Sequence, residues 1–382
     1  MTHNSKILRT QSGMALLITL SIIAILLTAT LELNRRVRIG ILSSEIGRTD
    51  YKLLEMAKSG MIIAKAILIK DANTTKIDSI QEEWSDPEVL STIITSVFTG
   101  PGEIKLRIMD EMGKIQVNAL INEYPGHNVN MDQKRIWENL LSLFISSDKS
   151  EDDRDPQEII NCLIDWLDDK DNEAITGVSG AESAYYESLD IPYTCANREF
   201  SDLNELFLVK GITKNLITRA VVIDKILSDP ETEAPPLQLG DLFTVFGSEN
   251  NKAGNKNPGL RKYTFPGKIN INTAPVPVIA SILPFGKQDL AESINEYRLS
   301  KPDKEAGFAN DLSIKDWYAG IVGLTDKEKI KMAEMVTFSS HIFSIESQAS
   351  LDGRSLVLKN VVARQKDKTG RWICKTLRQV MD

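Results

Sequence analysis

One stretch of the chain concentrates carboxylates. Seven acidic or amide side chains lie between residues 165 and 182, and they are Asp165, Asp168, Asp169, Asp171, Asn172, Glu173 and Glu182. Like charges this close repel one another unless solvent or a cation intervenes. Calcium takes six to eight oxygen ligands from carboxylates, amides and backbone carbonyls, and a flexible acidic loop supplies them. The spacing leaves two interpretations open, a calcium site and a solvated acidic loop.

This acidic stretch is not an EF-hand. Asp169 and Asp171 begin the alternation of ligands that an EF-hand loop requires, but Ala174 stands where the loop glycine should be. A buried Asp165 could equally cap a helix or hydrogen-bond the loop. The side chains predicted as calcium ligands are Asp165, Asp168, Asp169, Asp171, Asn172 and Glu182.

The same residues could in principle serve an enzyme. Paired carboxylates such as Asp165 and Asp168 perform acid and base catalysis in glycosidases, but the sequence shows no aromatic-lined sugar cleft beside them. The three histidines are scattered, and neither a Gly-x-Ser-x-Gly motif nor a glycine-rich phosphate loop occurs; they are His3, His127 and His341. We therefore predict a non-enzymatic protein, with an exported glycosidase-like or protease-like domain as the alternative.

Composition limits which partners the chain can bind and which disulfide or metal cross-links it can form. The 382 residues carry a net charge of −8, which disfavours a nucleic-acid partner because phosphate binding relies on clustered Lys and Arg. The three cysteines, Cys162, Cys195 and Cys374, are too few and too scattered for a disulfide scaffold or a typical zinc site. A disulfide between Cys162 and Cys195 is predicted if the domain lies outside the cytoplasm, and buried thiols are the alternative.

The amino-terminal region contains an apolar run that could anchor the rest of the chain. Residues 14–31 carry no charge, and as a helix they nearly span a bilayer. Lys6 and Arg9 precede this run, which favours a cytoplasmic leader and an exported remainder, although basic residues beyond Leu31 weaken the charge asymmetry. The small residue Gly13 lies before the run, so cleavage there would remove the leader and keep the helix. An uncleaved signal anchor is the alternative.

Periodicity indicates an α+β protein. Apolar residues continue at helical spacing to Leu68, which predicts one long helix with an apolar stripe. Residues 102–120 alternate around a glycine-containing turn and predict a β-hairpin, and three more strands are predicted near the carboxyl terminus. Together they predict an antiparallel sheet on which the helix packs, with an α-helical insertion between its two parts.

The predicted division has five parts. They are a leader at 1–13, a membrane or filament-packing helix at 14–34, a helix with the first strands at 35–130, an inserted α-helical domain at 131–337, and carboxyl-terminal strands at 338–382.

Several of these features resemble the type IV prepilin class. In that class a peptidase cuts after a glycine, here Gly13, and Met14 would begin the mature chain. Most members carry a glutamate at the fifth mature position, where its charge pairs with the terminus of a neighbouring subunit, but here the residue is Ile18. A subunit lacking that acid is tolerated best at a filament tip. Within the class this resembles the minor pseudopilin K family of type II secretion.

The resemblance extends along nearly the whole chain. It implies a pseudopilin fold, calcium binding in the helical domain, methylation, and a place in the bacterial inner membrane with the bulk of the chain in the periplasm. It also implies a tip of a pseudopilus that supports export of folded proteins, with pseudopilins I and J, the major pseudopilin filament and prepilin peptidase as partners. The alternative within the class is a minor pilin of a type IV pilus. The residues that match the family order are Asp165, Trp166, Asp168, Gly180, Ala181, Glu182, Tyr185, Tyr186, Asn197, Leu203, Glu205 and Leu206.

Overall fold

The computed structural model describes residues 12–145, 155–170, 180–220, 237–247, 249–250, 262–301 and 307–381. Within these ranges the α-helices are α1 (Ser12–Thr74), α2 (Pro87–Val97), α3 (Met131–Phe144), α4 (Pro156–Leu167), α5 (Ser183–Glu187), α6 (Lys214–Ile217), α7 (Val276–Ile282), α8 (Ala291–Leu299), α9 (Tyr318–Val322) and α10 (Asp326–Met335). The strands are β1 (Glu103–Asp110), β2 (Ile115–Gln116), β3 (Phe243–Thr244), β4 (Glu249–Asn250), β5 (Tyr263–Thr264), β6 (Ile269–Asn270), β7 (Val336–Thr337), β8 (Ile342–Leu351), β9 (Arg354–Lys366) and β10 (Trp372–Met381).

Helix α1 is 63 residues long and contains no proline, which lets it continue without a break. Its first half is exposed, and its second half buries one face at helical spacing, where Leu53, Ala57, Ala64 and Leu68 are almost inaccessible to solvent. The predicted long helix with an apolar stripe is therefore confirmed, and the stripe begins at Leu53.

The buried face of α1 packs on a four-stranded antiparallel sheet in the order β1-β8-β9-β10. Side chains on the inner face of the sheet, including Ile108, Phe343, Ile345 and Val362, form one core with α1 and α2. Gly60 lets the helix approach closely, because a Cβ there would lie 2.2 Å from Ser347 Oγ. The three predicted carboxyl-terminal strands are confirmed.

The predicted hairpin at residues 102–120 is wrong. Strand β1 pairs with β8, and β2 pairs in parallel with β3, so the two segments belong to different sheets. Asp110 ends β1 because its Oδ1 accepts a hydrogen bond from Met112 N at 2.7 Å and caps a single 3₁₀ turn. Alternation identified both strands correctly, but it cannot identify pairing partners that lie far along the chain.

The segment between β1 and β8 forms a second core, which we call the head. Helices α3, α4, α7, α8 and α10 lie within the predicted α-helical insertion, and α7 begins at Val276 between Pro275 and Pro277. Residues 115–121 already pack in this core, so the predicted boundary at 131 falls inside it.

Candidate functional site

Three predicted ligands meet inside the head. Oxygens of Asp165, Asp168 and Glu182 all lie within 4.8 Å of one another, and all three side chains are buried. We call these three residues the head acid cluster. Asp165 lies on the last turn of α4, Asp168 is its C-cap residue, and Glu182 immediately precedes α5.

The local sequence explains why these carboxylates are inside. Every residue of α4 from Ile159 to Leu167 is buried, so the carboxyl end of the helix is enclosed by the head. Trp166 packs edge-on against Tyr186 at 5.1 Å and stacks with Phe200 at 6.3 Å, which forms an aromatic wall beside the acids. The family-matching Trp166 and Tyr186 therefore hold the cluster in place through packing.

Backbone amides fix two of the three carboxylates. Asp165 Oδ2 accepts a hydrogen bond from Ala181 N at 2.8 Å, which ties the end of α4 to the residue before Glu182. Asp168 Oδ1 accepts one from Lys170 N at 2.7 Å. Asp168 Oδ2 is buried and has no hydrogen-bond partner among the described residues. A buried acceptor left without a partner is costly, so this oxygen is placed to receive a ligand.

The electrostatics of the cluster disfavour three free carboxylates. Burial raises the pKa of Asp168 to about 6, and the negative charges of Asp165 and Asp169 add to that rise. The carboxyl end of α4 carries the negative pole of the helix dipole, which also opposes anions there. His127 acts in the opposite direction but is the last of the causes in size. A divalent cation would relieve this repulsion.

The donor set fits calcium. Three buried carboxylates supply hard oxygen ligands and a negative charge that attracts a divalent ion, and backbone carbonyls can complete a calcium shell. Asp169 is separate from the cluster: its Oδ1 lies 3.1 Å from His127 Nδ1, and its side chain is 40% exposed. The other two predicted ligands, Asp171 and Asn172, lie outside the described residues.

The sequence analysis did not identify the residue that positions Phe200 in the aromatic wall of the site. Asn118 is fully buried, and its side chain both accepts from Phe200 N at 2.8 Å and donates to Phe200 O at 3.0 Å. The available signal was the similarity of residues 113–120 to residues 267–275, since Asn272 is buried in the second stretch as Asn118 is in the first. A buried amide in matching strand-turn segments indicates a structural hydrogen bond.

A second acid cluster joins α1 to the sheet and the head. We call Asp71, Asp78 and Glu82 the junction acid cluster, because their oxygens also lie within 4.8 Å of one another. Here the protein supplies its own cation: Arg364 Nη1 lies 2.7 Å from Asp71 Oδ2, and its Nη2 donates to Asp78 and to Ser340 O. The guanidinium therefore compensates two of the three carboxylates, and Glu82 Oε1 is buried without a hydrogen-bond partner among the described residues.

The polar network continues from the junction acid cluster into the head. Asn270 Nδ2 donates to Asp78 O at 2.9 Å and to Asp110 Oδ2 at 3.0 Å, and Asp110 also accepts from Thr273 Oγ1 and Ser340 Oγ. Burial raises the pKa of Asp110 to about 6. Each of these contacts joins residues far apart in sequence, so periodicity could not predict them.

The two cysteines predicted to pair are both buried in the head. Cys195 Sγ donates to Asp165 O at 3.4 Å, beside the head acid cluster. Burial raises the pKa of Tyr186, and Cys195 and Cys162 add to that rise, which places both near the same phenol. The disulfide between Cys162 and Cys195 stays a prediction.

The amino-terminal part of α1 satisfies the physical requirements of an anchor. This helix has a mean hydropathy of 2.5 in its most apolar window, which is entirely exposed, and by length and composition it can cross a membrane. Gly13 and Met14, the predicted processing residues, lie in the first turn described, and Ile18 follows one turn later with 55% exposure. The predicted processing itself stays a prediction.

These features together define a class. A long helix with an exposed apolar start, packed on a four-stranded antiparallel sheet and extended by an inserted helical head, is a pseudopilin fold. A chain of the solved GspK-GspI-GspJ complex from the type 2 secretion system of enterotoxigenic Escherichia coli has this fold, with a TM-score of 0.54 and 15% identity over 89% of this chain and 99% of that chain.

Sequence comparisons show similarity to one family. Residues 113–221 match the family model described as type II secretion system (T2SS), protein K. Type II secretion system protein K of Pseudomonas aeruginosa is 29% identical over 53% of this chain, and that of Pectobacterium carotovorum is 28% identical over 55%. The alignments cover 58% and 61% of those relatives. This chain matches the protein K family of type II secretion, and the resemblance predicted from its sequence is confirmed.

Three broader predictions receive support at this level. The family match and the pseudopilin fold support a minor pseudopilin role. The relatives are named as secretion-system proteins, which suggests a non-enzymatic role. The exposed apolar start of α1 is a candidate for a single-pass anchor.

Proposed function

We propose that this chain is a non-enzymatic minor pseudopilin that ends a pseudopilus at its tip and supports the export of folded proteins by type II secretion. Prepilin peptidase cleaves after Gly13, the helix that begins at Met14 stays in the bacterial inner membrane, and the sheet and head lie in the periplasm. Pseudopilins I and J are its neighbours, by analogy with the solved complex of that name.

The observation that carries the tip position is Ile18. An acid at this depth in an apolar helix is stable only when a neighbouring positive charge compensates it, which in a filament comes from an adjacent subunit. Ile18 removes the need for that adjacent charge, and it also removes the charge contact that would hold the helix inside a stack. A subunit of this kind can be last but is disfavoured in the middle.

The exposed part of α1 supports packing against other helices. Beyond the apolar run, Val37, Ile41, Leu42 and Ile46 remain at least half exposed on the described structure. Apolar side chains at helical spacing on an uncovered face are typical of a helix that packs against a partner. We assign this surface to pseudopilins I and J and, below them, to the major pseudopilin filament.

The proposal includes calcium binding by the head acid cluster. Asp165, Asp168 and Glu182 would hold the ion, and the ion would fasten the end of α4 to the start of α5 by binding carboxylates from both. Calcium would stabilise the folded protein, because a ligand that binds only the folded state shifts the folding equilibrium toward that state.

The test of the tip position is the number and place of this chain in assembled pseudopili. Filaments overproduced with the major pseudopilin are labelled with an antibody to the head, and the chain is quantified with isotope-labelled peptides. We expect labelling at one end only and a mature amino terminus at Met14. Copies spaced along the filament, or a mature chain that begins beyond Leu31, would contradict the proposal.

A further inference from the structure

The β9-β10 hairpin has a charge opposite to that of the chain as a whole. Between Arg354 and Arg378 the sequence contains eight Lys and Arg residues and one acid, Asp367, so this segment carries +7. The whole chain carries −8, which leaves −15 on the remainder. Such segregation creates a local positive field on an acidic protein.

Three of the basic residues are used internally. Arg354 pairs with Asp50, Arg364 with the junction acid cluster, and Arg378 with Asp202. Four others are exposed and take part in no ion pair within the part of the chain that the structure describes. We call these four the basic tip, and they are Lys366, Lys368, Arg371 and Lys375.

Hydrogen bonds within the turn order the basic tip. Asp367 Oδ1 accepts hydrogen bonds from Thr369 N at 2.7 Å and Arg371 N at 3.0 Å, and Gly370 supplies the positive φ of +82° that the turn requires. Lys366 Nζ lies 5.1 Å from the centre of the Trp372 ring, which places an aromatic surface among the charges. A rigid loop loses little entropy on binding, and Trp and Arg are the residue types that dominate interfaces.

The position of the basic tip excludes the bilayer around the apolar run as its ligand. Arg354 lies beside Asp50 and Arg364 beside Asp71, so β9 runs along α1 away from the membrane segment. Cys374, near the tip, donates to Lys65 O, and Lys65 is separated from Leu31 by about 50 Å of helix. Charges are screened within about 10 Å, so headgroups at that distance exert no attraction.

We propose that the basic tip binds an acidic polypeptide segment of a partner protein. The carboxylates of the segment would pair with the tip cations while its apolar side chains contact Trp372. A long polyanion such as nucleic acid would also meet the −15 on the rest of the chain, whereas a short acidic segment carries negative charge only where the tip is. The proposal is independent of the position of the chain in a filament.

The test measures fluorescence anisotropy of a labelled peptide of alternating Glu and Val residues, titrated with the full chain in detergent micelles. The tip variant is K366Q/K368Q/R371Q, and the matched control is K315Q/K327Q/K329Q, which removes the same charge from exposed and half-exposed positions in the head. We expect the tip variant to bind about tenfold more weakly and the control to stay within about twofold of the unmodified chain.

Two results would overturn this proposal. One is equal binding by the two variants, or no binding of the acidic peptide by the unmodified chain when a Gln-Val peptide serves as the uncharged reference. The other is loss of binding to phosphatidylglycerol vesicles in the tip variant without any loss of peptide binding, which would assign the tip to lipid.

Discussion

The two acid clusters of this protein differ in what compensates their charge: the head acid cluster is fully buried, whereas in the junction acid cluster only Asp78 is buried. At the junction acid cluster, Arg364 contacts two carboxylates and two backbone carbonyls, and its own charge compensates theirs. In the head acid cluster, Asp168 keeps one buried oxygen without a hydrogen-bond partner among the described residues. Both clusters raise carboxyl pKa values, that of Asp71 to about 7 and that of Asp168 to about 6, chiefly through burial. Glu82 Oε1 in the junction acid cluster is likewise buried without such a partner, so the two clusters differ in Arg364, which supplies a cation to the first.

This difference teaches how to distinguish structural from ligand-binding acids. In an acidic cluster whose carboxylates already bond a side-chain cation, that cation compensates part of their charge. In an acidic cluster at a helix carboxyl end, the helix dipole opposes the carboxylates, which favours binding of a cation from solution. The predictions below test this distinction.

The largest effect is expected at the junction acid cluster. Arg364→Met leaves Asp71 and Asp78 buried without their cation, and breaking a buried pair in this way costs about 3 to 5 kcal/mol of unfolding free energy. The measurement is urea denaturation of the full chain in detergent without calcium. Arg354→Met, which removes an exposed pair with Asp50, should cost less than about 1 kcal/mol. Equal losses in the two variants would show that Arg364 is not a compensating cation.

Calcium should give the next largest effect, and only through the head. Calcium at about one hundred times its dissociation constant should stabilise the unmodified chain by about 2.7 kcal/mol, seen as a rise in thermal midpoint over the same protein in chelator. Asp168→Asn removes a ligand and should abolish most of that rise. Asp326→Asn, at a side chain that is 98% exposed, is the matched control and should keep it. A rise that persists in Asp168→Asn would refute the assignment.

The calcium effect should weaken in acid. Below pH 6 the calcium-free protein holds a proton on Asp168, and calcium must displace it. We expect the apparent affinity to fall about tenfold at pH 5 from this group alone, measured by calcium titration at pH 7 and pH 5. Affinity unchanged between these values would mean that Asp168 does not ligate the ion.

The smallest expected effect is on the stability of Asp168→Asn in chelator, without calcium. The pKa of folded Asp168 lies above its unfolded value, so ionisation destabilises the fold as pH rises from about 4 to 6, and that loss is complete at pH 7. Asp168→Asn removes this charge and should raise calcium-free stability at pH 7 by about 1 kcal/mol. Asp78→Asn should instead lower it, because Arg364 loses a partner. If both variants lower the calcium-free stability, the two clusters do not differ in how their charge is compensated, and the comparison is contradicted.

Sequence reasoning worked where the determinants are local. The apolar period of α1 and the alternation in β8 to β10 each lie within a short window, and these elements were predicted. Asp165, Asp168 and Glu182 were named because carboxylate spacing is visible in the sequence. Asp169 belongs to the same acidic stretch of the sequence. In the structure it contacts His127, which lies 42 residues away along the chain, and no local pattern shows that contact.

What could not be predicted depends on distant pairing. The supposed hairpin failed because β1 and β2 find partners more than one hundred residues away. The junction acid cluster gathers its acids from α1 and the loop that follows it, while Arg364 comes from β9. Without knowledge of tertiary contacts, Arg364 is indistinguishable from the other basic residues of its hairpin.

Calcium content is the most direct test of the central claim that the head acid cluster is a cation site. The full chain, Asp168→Asn and Asp326→Asn are equilibrated with the same calcium concentration, passed through a desalting column and analysed by elemental mass spectrometry. We predict that Asp168→Asn retains at least one calcium ion per chain fewer than the other two proteins. Equal calcium in all three would contradict the claim.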